Sequence, residues 1–164
     1  ISFTAGAAPV VTFSKIASGG EANVLIATSA IASGTIKLFE IGGFSGTPLL
    51  DAKDEAAHSV PGNFNLATGT GVTNTGNPAI ALAYWGMNGG MGASVSFSNG
   101  YKEARWATQM TNLHVAVKLL TTLSSNTTTH TWTTSRSGSA QLIIFSGLTI
   151  SGGDHNLPLL GVGS

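Results

Sequence analysis

Seven carboxylates, Glu21, Glu40, Asp51, Asp54, Glu55, Glu103 and Asp154, are the groups in this 164-residue chain with the most obvious capacity for acid–base chemistry. Glycoside cleavage would need two of them facing each other across a cleft. No spacing pairs them, and acids on strand faces are solvated as a rule. Glu55-Ala56-Ala57-His58 has the Glu-x-x-His spacing of di-iron bundles, but those sites need a second copy on another long helix. The four histidines, His58, His114, His130 and His155, are too scattered for metal-ligand spacing. Gly86-Met87-Asn88-Gly89-Gly90-Met91-Gly92 lacks the Lys-Ser or Lys-Thr and the following helix of a phosphate loop. A Gly-x-Ser-x-Gly nucleophile elbow is also missing. The expectation is therefore a chain that is not an enzyme, with no catalytic residue, cofactor or metal ligand. Asn126-Thr127-Thr128 is an acceptor sequon for N-glycosylation in a secretory host.

Aromatic residues offer binding chemistry instead, because one ring can serve a core or stack on a sugar. Tyr84 and Trp85 are adjacent, so in a strand they face opposite sides and one of them is expected in the core. His130 and Trp132 alternate with threonines and share one strand face, a candidate sugar platform. Trp85, Trp106, His130 and Trp132 are thus the candidate glycan or partner contacts. Leu157, Leu159 and Leu160, clustered around Pro158, add an apolar patch suited to docking on a neighbouring subunit.

Composition points to strands as the elements holding these residues. Hydrophobic residues make up 42% of the chain, enough for a core, whereas charged residues are only 9%. An average soluble domain carries roughly a quarter charged residues. The surface must then be Ser, Thr, Asn and Gly, which disfavours long helices and suits extracellular proteins or subunits covered by neighbours. Net charge is zero and no basic stripe exists, so nucleic acid is not an expected partner. The longest apolar runs, such as Pro78–Trp85, fall far short of the roughly 20 residues of a membrane helix. Cysteine is absent, which removes disulfides and thiolate sites. The start, Ile1-Ser2-Phe3-Thr4, lacks Met and a signal pattern, as expected of a chain that begins after a processed or disordered segment.

Strand signals occur at residues 10–15, 23–29, 35–41, 79–85, 93–97, 102–107, 113–121, 127–135 and 140–145. In His114-Val115-Ala116-Val117-Lys118-Leu119 the valines and Leu119 point one way, His114 and Lys118 the other. Residues 49–58 form the one good helix candidate, with strong formers and early acids, stopped by Pro61-Gly62. Gly69–Asn77 and Gly86–Gly92 read as flexible loops. Nine short strands match an all-β fold: an antiparallel two-sheet β-sandwich of jelly-roll type at residues 10–147, flanked by extended arms at 1–9 and 148–164.

One resemblance covers residues 35–146. The strand His114–Leu120 leads to Thr131-Trp132-Thr133-Thr134-Ser135-Arg136, then to Ser137-Gly138-Ser139-Ala140-Gln141-Leu142-Ile143-Ile144-Phe145. Upstream stands Leu38-Phe39-Glu40-Ile41-Gly42-Gly43-Phe44-Ser45-Gly46. Together these resemble phage and bacterial surface proteins with jelly-roll or concanavalin-like sandwiches, among them capsid decoration (cement) proteins, fibre domains and sugar-binding modules. The resemblance implies a virion structural protein that binds across capsid subunits, self-associates as a homo-oligomer and sits on a virion surface or outside the cell. Its alternatives are a carbohydrate-binding, host-recognition domain and a fibre subunit assembled by strand donation. In that group the Glu-x-Gly strand follows several earlier strands, whereas here only about forty residues precede it. A reduced first sheet, or a strand supplied by another chain, would explain the difference.

Overall fold

A computed structural model of the chain describes residues 2–3, 11–12, 41, 44–89, 96–104 and 112–149. All the regular elements among them are strands: β1 (Ser2–Phe3), β2 (Val11–Thr12), β3 (Phe44–Ala67), β4 (Val72–Thr73), β5 (Ala79–Met87), β6 (Ser96–Phe97), β7 (Lys102–Glu103), β8 (Leu113–Leu120), β9 (Ser125–Asn126) and β10 (Thr129–Leu148). Six form one antiparallel sheet in the order β3-β10-β5-β8-β7, with β6 also pairing β10. The pairs β1-β2 and β4-β9 make two small antiparallel ribbons. The chain is all-β.

The sheet is built around β5. Its run Ala79-Ile80-Ala81-Leu82-Ala83-Tyr84-Trp85 is buried throughout, the continuous apolar pattern of a strand covered on both faces. Ala79, Ala81, Ala83 and Trp85 join Ala140, Leu142 and Ile144 of β10 in one core cluster. Ile80, Leu82 and Tyr84 join Ile143 and Val115 in a second. Tyr84 and Trp85 therefore face opposite sides as expected, and both are interior. The valines of β8 lie with the second cluster, and His114 takes the other face, as the alternation required.

β10 is bent. Ala140 pairs with Trp85, and ten residues of extended chain span about 33 Å. Yet the ring of His130, ten residues before Ala140, lies 5.2 Å from that of Trp85. Register shifts between Thr131 and Arg136 and between Arg136 and Gly138 mark where the strand turns back. Beyond Gly138, towards its start, β10 leaves β5 and pairs β6 at His130 and Thr131. Leu66 and Trp132 thereby close over the face carrying Trp85.

Three expectations change. Residues 49–58 lie within β3, not in a helix: Ala52 through Ala57 pair with Ile144 through Ser139. Local helix preference amounts to at most a few tenths of a kcal/mol per residue, which pairing along the open edge of β10 readily overrides. The strands expected at 127–135 and 140–145 are one element, because Ser135-Arg136-Ser137-Gly138 bends the strand without ending it. Residues 69–77 carry β4 and are tied down by side chains. The strands expected at 23–29 and, save Ile41, 35–41 lie outside the described residues, as does the arm beyond residue 149. Of the arm expected at 1–9, Ser2 and Phe3 pair with Thr12 and Val11.

Candidate functional site

Five rings meet where β10 folds over the sheet. Trp85 of β5, Phe97 of β6, His114 of β8 and Trp132 of β10 surround His130, with ring centroids 4.6 to 5.3 Å from its own. Period-two alternation places His130 and Trp132 on one face of β10, and the bend lays that face against Trp85. The Trp85 indole N–H donates to the Leu66 carbonyl at 2.9 Å, joining β5 to β3 across the cluster.

Burial decides what these rings can do. Trp85 and His130 are 0% exposed and Trp132 only 2%, so no sugar ring can stack on them in the folded chain. The glycan-platform expectation is corrected at these three positions. Trp106, Leu157, Leu159 and Leu160 lie outside the described residues.

The cluster does contain titratable groups. His130 Nδ1 lies 3.3 Å from the Ser96 carbonyl, so the tautomer with the proton on Nδ1 can donate there. Its Nε2 has no hydrogen-bond partner among the described residues. Burial, with the nearby His114 adding to it, pushes the His130 pKa down to about 4, against weaker support from Ser96 and Thr131. His130 is therefore neutral at pH 7. His114 Nδ1 lies 3.4 Å from Glu103 Oε1 of β7. Tyr101, buried nearby with Lys118 Nζ 5.5 Å above its ring, has its pKa raised by burial. Sequence spacing places His114 and His130 on two successive strand signals, 113–121 and 127–135, and gives no sign that their side chains meet.

A second constellation ties the loops at one end of the molecule. Asp51 is an extra residue in β3, between the pairs Ile144–Ala52 and Phe145–Leu50. In a regular strand, residues three apart face opposite sides. The bulge lets Asp51 and Asp54 reach the same loop. The Asp51 carboxylate accepts from the Thr75 and Gly76 N–H groups at 2.9 and 3.1 Å and from the Thr75 hydroxyl. Asp54 accepts from Gly71 N–H at 2.7 Å. Gly69 and Gly71 have φ of 118° and 111°, a region that side chains strongly disfavour.

Asn74, only 1% exposed, crosslinks this loop to residues 122–126. Its amide donates to the Gly76 and Thr122 carbonyls, and its oxygen accepts from Ser124 N–H and the Asn126 amide. Asn126 also donates to Ser124. Its side-chain nitrogen is thus buried and doubly engaged, and the folded chain offers no glycan acceptor there.

Asp51 and Asp54 hold a loop, and Glu103 stands beside His114. No group of three or more His, Asp or Glu side chains among the described residues is placed to hold a metal ion. Glu21, Glu40, Asp154 and His155 lie outside the described residues. Protein-family models, curated proteins and solved structures yield no match to this chain.

Proposed function

We propose that the chain is a structural protein of a virus particle, an antiparallel β-sandwich of jelly-roll type that decorates a capsid and stabilises it by binding across subunits. The observation that carries this reading is the position of β3. Among the described residues this 24-residue strand ends the six-stranded sheet, with β10 along one edge. Leu50 on it is 54% exposed, an apolar side chain available to a neighbour. A terminal strand of that length is a template for pairing with another chain. The 9% charge content and the resemblance of residues 35–146 to virion surface proteins support the same assignment. Its partners would be further copies of itself and the major capsid protein, on the virion surface.

The test is the native mass of the purified chain, followed by co-sedimentation with undecorated, expanded capsid shells of a tailed phage. Binding that raises the temperature at which the shells rupture is expected. A monomer that neither binds nor protects them overturns the proposal.

A fibre subunit assembled by strand donation draws on the same terminal strand. Deleting residues 1–9 should then abolish polymers while leaving the fold intact, and polymers that persist count against it. The glycan-binding reading is weakened by the burial of Trp85, His130 and Trp132, which leaves Trp106 as its one remaining tryptophan.

A further inference from the structure

We propose that His130 and His114 form an acid-released latch, which holds the start of β10 and the short strand β6 against the sheet at neutral pH and lets them go on acidification. The inference is independent of any capsid role.

Geometry is the basis. His130 sits where the bent strand closes on the sheet, fully buried among Trp85, Phe97 and Trp132. A neutral imidazole suits that place, with one nitrogen against the Ser96 carbonyl of β6 and the other facing no partner among the described residues. A protonated one does not, because a buried charge needs a counter-charge. The charged or titratable groups on the packed elements are few. β8 contributes His114, 4.9 Å away ring to ring, and Lys118, which lies over Tyr101. β7 contributes Glu103, which faces His114. β5 offers Trp85 and β6 offers Phe97, neither of them titratable over this range. The carboxylate on these elements, Glu103, thus stands beside His114 and not beside His130. The charge of His114 works against a proton on His130.

The sign follows from linkage. The folded-state pKa of His130, about 4, lies below its ordinary 6.5, so the unfolded or opened chain binds the extra proton between those values. Stability is full above pH 6.5 and declines as pH falls towards 4. From this group alone the closed-to-open ratio should fall roughly 100-fold between pH 7 and pH 4. The cheapest opening releases the half of β10 before Gly138, which has already left β5.

The test is a titration of the intact chain from pH 8 to 3.5 by NMR. It follows the His130 ring and the exchange of the Trp85 indole proton, which is held by Leu66 across the latch. A His130 midpoint well below 6 is expected, with the protection factor of the Trp85 indole proton, its exchange relative to a free indole at the same pH, falling as pH drops below 6.5 while the protection factors of the β5 and β8 amides hold. In His114→Gln the His130 midpoint should rise. His130→Phe should flatten the loss of unfolding stability between pH 6.5 and 4. Should that variant fail to fold, the wild-type titration still decides. A His130 midpoint near 6.5, or a Trp85 protection factor that does not change with pH before global unfolding, overturns the proposal.

Discussion

The indole nitrogen of Trp85 and the carbonyl oxygen of Leu66 lie 2.9 Å apart, so one buried hydrogen bond joins the central strand β5 to the far end of β3. The two residues are 19 positions apart in sequence and share a core cluster that the bend in β10 closes.

Trp85→Phe should show what that bond contributes. The substitution removes the donor, strands a buried carbonyl and leaves part of the indole volume empty. The two penalties together come to about 2–4 kcal/mol. Urea unfolding of the two proteins should reveal it as a lower midpoint with an unchanged slope.

Asp51 should respond to pH in a defined direction. Burial alone would raise its pKa, but the hydrogen bonds from Thr75 and Gly76 outweigh that and hold it below the ordinary value of 3.8. A depressed folded pKa means the stabilisation is present above that value and lost as pH falls through and below it. Asp51→Ala should cost about 1 kcal/mol at pH 7, the low end for a charged hydrogen-bond acceptor because the site is partly solvated. The gap between the wild type and Asp51→Ala should narrow below pH 4 in thermal melts.

Asn74 uses all of its hydrogen-bonding capacity: two donors to carbonyls and two acceptor positions filled by N–H groups. Asn74→Asp keeps the shape and removes both donors, placing a carboxylate oxygen against the Gly76 and Thr122 carbonyls. A loss of about 2–4 kcal/mol at pH 7 is expected, since buried polar atoms lose their partners and gain repulsion. Equilibrium denaturation measures it. A variant as stable as the wild type would mean that the crosslink between the two loops contributes little.

Much of the sheet could be read from the chain because its signals are local. The buried run Ala79–Trp85 and the alternation in His114–Leu119 locate β5 and β8 to within two residues. The reading failed where a distant partner decides. Asp51 to His58 has good helix formers and acids at its start, and only pairing with β10, over 80 residues away, makes it a strand. The aromatic and histidine cluster was half legible. Alternation put His130 beside Trp132 and turned His114 away from the valines, but the bend that brings His114 to His130 depends on bulges with no signature of their own.

Gly138 is the residue on which that bend depends most directly. It sits at a register shift, it is the first residue of β10 to pair with β5, and its partner there is Met87. A Cβ at this position would lie 2.5 Å from the Gly86 carbonyl oxygen and would also overlap the Met87 sulfur. The thioether can swing aside, but the carbonyl belongs to the ladder of β5 and cannot move without moving the strand. Gly138→Ala should therefore separate β10 from β5 locally and destabilise the chain by about 1–3 kcal/mol, the usual penalty for overpacking. The damage should be directional. Amide exchange should rise first at Gly86 and Met87 and spread to the His130 cluster, while the end of the sheet around Ala79 and Ser146 stays protected. Uniform loss of protection along β5 would show instead that the bend and the sheet unfold as one unit.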